Sequence, residues 1–431
     1  MGLLFFLVMW YNTISMIINR SVTDMKLHER FLDYVMWDSR AAEHTGTVPS
    51  TPGQIDFAKH LVEEIKAIGV EDVWMDEMGY VYGSLPSNME KEVPAIGFLS
   101  HVDTADNLPG PTKMPRIIEN YDGSVITLES GVTINPAKDP HLAKCVGQDI
   151  IVTDGYTLLG GDDKAGIAEI VCALEYFVQN PDVPHGKITF SFTPDEEIGT
   201  SQDNFNVEAF GAEFAYTVDG GDFGICCYEN FNACCATITI NGVATHPGDA
   251  KDKMKNAMLI GMEFDQQLPP WERPEHTYDH EGFYHLEVMN GTCDHCEMTY
   301  LIREHNRSIF EYRKAIMKKA GEFLNARYGE GTVIVDLKDG YRNMYDMVVP
   351  HMHVVDIACE AIREVGGTPD NYPSRGGTDG AELSWKGVPC PNLGTGSFNH
   401  HAVTEVASIQ QMEQCRDMII KIVEKYAAFE K

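Results

Sequence analysis

Side chains of the metal-ligating kind recur along this chain, each set beside an apolar run. His101 and Asp103 stand in SHVDT, Asp162 in GGDDKAG, Glu196 and Glu197 in PDEEIG, Asp219 in TVDGG, and His401 in FNHHAVTE. The run Ile188-Thr189-Phe190-Ser191-Phe192 reads as a buried strand, yet it leads directly into Asp195, Glu196 and Glu197 with no basic residue beside them. Adjacent carboxylates repel one another and resist desolvation, so a salt bridge or a metal must supply positive charge. In HVD the i, i+2 spacing puts both side chains on one face of an extended chain. Asp103 can then accept a bond from the His101 imidazole, as carboxylates commonly do for a metal-bound histidine. The glycines before Asp162 allow a tight turn, and the helix start that follows favours a carboxylate. Taken singly, each signal is ordinary, since aspartates of this kind cap helices and paired glutamates line solvated edges. Their order along successive strand exits makes them specific.

The elements that must position these residues alternate between strand and helix. PSTPGQIDFAKHLVEEIKAIGV carries a Ser50 cap, an early Pro52 and apolar residues at Ile55, Ala58, Leu61, Val62 and Ile65, which predicts an amphipathic helix. VPAIGFLS, KITFSFT and AEFAYTV read as buried strands, and AGIAEIVCALEYFV as a helix. Strands alternating with helices, with polar residues at the strand exits, predict an α/β fold with a mostly parallel mixed sheet flanked by helices. Ligands of such a sheet bind at the carboxyl ends of its strands. Near residue 230 the pattern changes to strand, helix, two strands, long helix and strand, the βαββαβ order of a ferredoxin-like α+β sandwich. The α/β style then returns and ends on the helix SIQQMEQCRDMIIKIVEKYAAF. One domain is therefore expected to be inserted into another, with boundaries at 1–24, 25–229, 230–341 and 342–431.

Composition sets outer bounds. The chain has 431 residues, 43% of them hydrophobic, enough for two cores. Its 33 basic and 65 acidic residues give a net charge of −32, which argues against nucleic acid or an anionic membrane as partner. Eleven cysteines, with vicinal pairs at Cys226-Cys227 and Cys234-Cys235, do not read as a secreted disulfide framework, so a cytoplasmic location is expected. The apolar stretch Leu3 to Trp10 is too short to span a bilayer and lacks the marks of a signal peptide. Residues 1–24 are read as an extension ahead of a natural start at Met25.

From about Lys26 to the C-terminus the chain closely resembles the peptidase T family, tripeptide aminopeptidases of the co-catalytic zinc peptidase superfamily. GFLSHVDT, LLGGDDKAGIAEI, FTPDEEIG, AYTVDGG, HPGDAKDKMKNA, YLIRE, SRGGTDGAELS and PCPNLGTG carry the resemblance. It implies two Zn2+ ions per subunit, one held by His101 and Asp219, the other by Glu197 and His401, with Asp162 bridging. Mn2+ or Co2+ could occupy the same donors. It further implies Glu196 as general base, Asp103 as the residue orienting His101, and His246 in THPG stabilising the oxyanion in a neighbouring subunit of a homodimer. Residues 25–229 and 342–431 would form the catalytic domain, and 230–341 a dimerisation or lid domain. Arg303 and Arg375 are candidates for gripping a peptide's C-terminal carboxylate, which Arg binds bidentately. Small peptides are the expected substrates.

The chain departs from the family pattern at NHHAVTE, where His400 stands beside His401. His401 fits the spacing to Glu405, and His400 is the fallback ligand. CDHC at Cys293–Cys296 has zinc-knuckle spacing without a second CxxC, and reads as a strand-to-strand turn. Two other functions fit the same residues less well: a related deacylase or carboxypeptidase, and a non-catalytic peptide-binding protein, which would have little need of Glu196.

Overall fold

The computed structural model describes residues 25–429; the extension expected at residues 1–24 lies outside them. The chain divides into two compact units. The first comprises the chain up to Tyr228 together with Met347–Asn371 and Thr378 onward; the second comprises Glu229–Asp346 and Tyr372–Gly377.

The first unit opens with helices α1 (Leu27–Tyr34) and α2 (Pro52–Ala67) and strands β1 (Asp72–Met75), β2 (Val81–Leu85) and β3 (Ile96–His101). Helix α3 (Gly161–Gln179) and strands β4 (Ile188–Thr193), β5 (Phe214–Gly220) and β6 (Cys226–Cys227) follow. In the second unit come β7 (Asn232–Asn241), α4 (Ala257–Asp265), β8 (Phe283–Gly291), β9 (His295–Glu304), α5 (Arg307–Tyr328) and β10 (Val333–Asp339). The chain then returns to the first unit for β11 (Asn392–Gly394) and the closing helix α6 (Ile409–Ala428).

The central sheet has seven strands in the order β1-β2-β4-β3-β5-β11-β6. The four inner strands β4, β3, β5 and β11 run parallel, and the outer pairs are antiparallel. Every residue of β3 and β4 is buried, as expected of parallel strands covered on both faces. Helix α3 lies so close to β5 that a Cβ at Gly166 would stand 1.9 Å from the Val218 carbonyl oxygen, so only glycine fits there. Helix α2 turns Phe57, Ala58, Leu61 and Ile65 inward. Its N-cap is Thr51 rather than the expected Ser50, whose hydroxyl is engaged elsewhere.

A small four-stranded antiparallel sheet, Ser397–Phe398, Val406–Ser408, Ile150–Val152 and Arg116–Ile118, was not anticipated. Strands of two or three residues leave no readable periodicity. It buries Ile150, Val152, Phe398 and Val406 in a core of its own.

In the second unit the antiparallel order β8-β9-β7-β10 is that of a ferredoxin-like sheet. Alternate residues of β7, namely Cys234, Ala236, Ile238 and Ile240, pack with Ile260 and Phe264 of α4 and Met317 and Leu324 of α5. Helix α5 begins where Asn306 accepts bonds from the Ser308 and Ile309 N–H groups. The CDHC stretch turns β8 into β9, with Asn290 paired to Glu297.

Candidate metal centre

Strand register dictates which side chains meet. β3 and β4 pair Ile96 with Ile188 and His101 with Thr193, so both strands end level and the Asp195–Glu197 turn emerges beside His101. β3 and β5 pair Ile96 with Phe214 and Leu99 with Thr217; carried on two residues, that register sets Asp219 level with His101. Asp162 arrives from the start of α3, after Gly160 has taken φ +83°. His401 arrives on the turn between the two short strands of the small sheet, itself at φ +59°.

The five expected ligands form one cluster. His101 Nε2 lies 2.9 Å from Asp162 Oδ1 and 3.5 Å from Asp219 Oδ1. His401 Nε2 lies 3.2 Å from Asp162 Oδ2 and 2.9 Å from Glu197 Oε2. Asp162 thus faces His101 with one oxygen and His401 with the other. Glu196 Oε2 stands 3.9 Å from His101 Nε2. His400 approaches Asp162 Oδ2 only to 3.4 Å through Nδ1, while its Nε2 bonds the Ser397 hydroxyl.

Asp103 does more than orient His101. The nearest acceptor to His101 Nδ1 is the Asp103 backbone carbonyl at 3.0 Å, with the carboxylate at 3.4 Å. The carboxylate accepts the Glu196 N–H on Oδ1 at 3.1 Å and the Glu197 N–H on Oδ2 at 3.0 Å. It therefore holds the glutamate turn. Asp195, in the left-handed region at φ +60°, anchors the same turn to α2, accepting from Ser50 and from Gln54 Nε2 at 2.7 Å.

Among the described residues the carboxylates of the cluster, Asp162, Glu196, Glu197 and Asp219, are faced only by the imidazoles of His101, His400 and His401. Burial pushes Glu196 well above the usual carboxylate range, Glu197 up to about 7 and Asp219 up to about 6. Burial opposes charge on His101, but bonds to Asp103, Asp162 and Asp219 hold its pKa well above the ordinary imidazole value. Bonds to Asp162 and Glu197 raise His401 to about 11. The ion-pair partners of Asp162, Asp219 and Glu197 are imidazoles, and the neighbouring Lys164 instead donates to the Trp37 carbonyl at 2.7 Å. Glu197 Oε1 is buried with no hydrogen-bond partner. Divalent cations meet each of these needs: the donors are imidazole nitrogen and carboxylate oxygen, and two triads, His101-Asp162-Glu197 and His101-Asp163-Asp219, bring ligand atoms within 4.8 Å of one another.

The other expected site residues lie in the second unit. His246 is exposed and its Nδ1 accepts the Gly248 N–H at 3.2 Å. Arg303 lies over the Tyr341 ring, its Nη1 donating to the Ile302 carbonyl. Arg375 is spent locally: Nη1 donates to the Asp279 and Glu281 carbonyls, and Nη2 to the Thr277 hydroxyl.

Four buried acids at the centre escaped sequence reasoning. Asp195 reads in the sequence only as part of the acidic run, without its partners Ser50 and Gln54. Asp163 accepts the His101 N–H at 3.2 Å, and Asp379 accepts from the Thr193 hydroxyl at 2.6 Å. Glu405 accepts N–H bonds from Leu159, Gly160 and Asp162. Its position four residues after His401 was the one available signal.

Comparison with known proteins places this centre in a family. Residues 228–332 match the model of a peptidase dimerisation domain. Peptidase T of Caldanaerobacter subterraneus is 49% identical over 403 residues, covering 93% of this chain and 98% of the relative. Peptidase T of Halothermothrix orenii is 48% identical over 404 residues, covering 93% and 99%. Among solved structures, aminopeptidase PepT from Bacillus cereus superposes with a TM-score of 0.75 at 24% identity, covering 93% of this chain and 98% of that one. A Staphylococcus aureus tripeptidase gives 0.74 at 22%, covering 94% and 98%. Both show the same fold. With nearly half its residues shared with these relatives along 93% of its length, the chain belongs to the peptidase T family, exopeptidases of the M20 fold.

Proposed function

We propose that this protein is a two-zinc aminopeptidase that releases the N-terminal residue of tripeptides. The observation that carries the reading is Asp162, set with one carboxylate oxygen toward His101 and the other toward His401. His101 and Asp219 would hold one ion, Glu197 and His401 the other, with Asp162 between them. A metal pair acidifies water and offsets the charge that develops on the scissile carbonyl oxygen.

The chain's own residues do the rest. Glu196 lies 3.9 Å from His101 Nε2; burial alone favours its neutral acid, so the cations would be needed to hold it as the carboxylate that accepts a proton from the attacking water and delivers it to the leaving amine. Asp103 keeps Glu196 and Glu197 in register through their N–H groups. The Asp103 backbone carbonyl, 3.0 Å from Nδ1, fixes the His101 ring and leaves Nε2 for the ion. Of Arg303 and Arg375 we assign the peptide's C-terminal carboxylate to Arg303, because the Arg375 guanidinium is engaged by carbonyls of its own unit. His246 serves the oxyanion in a second subunit, a homodimer being supported by the dimerisation-domain match. All eleven cysteines are free, which fits a reducing, cytoplasmic setting.

Incubating the purified protein with zinc, a tripeptide and its N-acetylated form tests the reading. Release of the first residue from the free tripeptide alone is expected. Hydrolysis of only the blocked peptide would mark a deacylase and overturn the aminopeptidase assignment.

A further inference from the structure

We infer that Glu405 is a positioning residue for the metal pair: its carboxylate gathers the N–H groups of Leu159, Gly160 and Asp162 and so fixes Asp162 between His101 and His401. This inference rests on the two-metal reading of the site. Glu405 is 1% exposed. Its Oε2 accepts from Leu159 and Gly160 at 2.9 Å each, and its Oε1 from Asp162 at 3.1 Å. Among the described residues no Lys or Arg hydrogen-bonds or ion-pairs with it; the carboxylate is held by backbone donors. A buried carboxylate is tolerated only when such donors satisfy it, and bonds to a charged acceptor are among the stronger ones.

The placement of those donors is what points to the metals. All three belong to the turn that delivers Asp162, whose own N–H is one of them. Glu405 in turn belongs to the segment that delivers His401, its N–H donating to the Ala402 carbonyl at 3.1 Å. One side chain therefore ties together two ligand-bearing loops some 240 residues apart in sequence. Gly161 shows how closely the two are fitted: a Cβ there would stand 2.9 Å from Glu405 Oε1 and 2.9 Å from the Ser397 Cβ.

Two variants test this. Glu405→Gln keeps the size but presents an amide NH2 to at least one N–H donor. Gly161→Ala keeps the carboxylate and displaces it. Zinc affinity is read by competition with a chromogenic chelator, and thermal midpoints are taken with zinc and with excess chelator. For each variant, affinity for at least one of two ions should fall about 10- to 100-fold, the range for residues that orient metal ligands. The gap between zinc-loaded and metal-free midpoints should narrow. If E405Q lowers both midpoints equally and binds zinc like the wild type, Glu405 merely supports the fold and the inference is overturned. Should E405Q not fold, G161A decides alone, and unchanged affinity overturns the inference. A wild-type chain that takes up no zinc overturns this inference together with the two-metal reading; a wild type that takes up two ions, matched by both variants, overturns this one only.

Discussion

Replacing Asp103 with Asn separates two roles that the family pattern merges into one. If the carboxylate served chiefly to orient His101, its loss would weaken the metal site. The geometry says otherwise, since His101 Nδ1 keeps the Asp103 backbone carbonyl at 3.0 Å whatever the side chain is. What the carboxylate alone provides is a pair of acceptors, at 3.1 Å for the Glu196 N–H and 3.0 Å for the Glu197 N–H. Asn has one acceptor oxygen, so one bond is lost and an NH2 group is turned against a buried N–H. A bond to a charged acceptor contributes about 1.5–3 kcal/mol, and an unsatisfied buried donor costs about 1–3 kcal/mol. Discounting for relaxation of the turn, about 2–4 kcal/mol falls on the placement of Glu196, which at about 1.4 kcal/mol per decade is roughly a 30- to 1000-fold loss in kcat. Steady-state kinetics on a tripeptide, paired with metal analysis of the same sample, is the assay. D103N should retain two metals per chain with kcat reduced by that factor and KM little changed. A kcat within threefold of wild type would refute the reasoning, and loss of one metal would return Asp103 to the role of orienting His101.

Three further outcomes are expected. His401→Ala should lose half of the bound metal while His400→Ala keeps it, because His401 Nε2 alone reaches both Asp162 and Glu197; elemental analysis of the two variants decides, and the opposite pattern would make His400 the ligand. In the metal-free protein, carboxylates hold His101 and His401 protonated, His401 up to about 11, so metal must displace their protons. Affinity should therefore fall as pH falls, about tenfold per pH unit for each proton displaced, and a flat titration between pH 8 and 6 would contradict this. Arg30 is fully buried against Glu64 at 2.6 Å and Glu175 at 3.0 Å, so Arg30→Ala should cost about 3–5 kcal/mol by taking the buried counter-charge from two acids; denaturant unfolding showing under 1 kcal/mol would refute it.

Much of this architecture could be read from residues alone because the informative segments are long, buried strands ending in acids. KITFSFT running into PDEE announces a strand exit at a charged centre, and β4 with the turn after it is that element. The inserted βαββαβ order was equally legible, since β7 alternates cleanly and α5 repeats its apolar face over six turns. What escaped has a common physical cause. Asp195 meets Ser50 across 145 residues, and Glu405 meets Leu159 across 246. Such partners are brought together by tertiary packing that no local period records. The small sheet failed for a different reason, its strands being too short to show alternation. Asp103 illustrates a third case. The i, i+2 rule put its side chain on the face of His101, where Oδ1 does lie 3.4 Å from Nδ1, but no local rule records that the same carboxylate also accepts the Glu196 and Glu197 N–H groups.

The claim on which the account stands is that two divalent cations share Asp162. Crystals grown with zinc and measured at its absorption edge address it without reference to activity. Two anomalous peaks, one against His101 and Asp219 and the other against Glu197 and His401, are predicted. A single peak away from Asp162, or none with the five side chains still gathered as described, would contradict it.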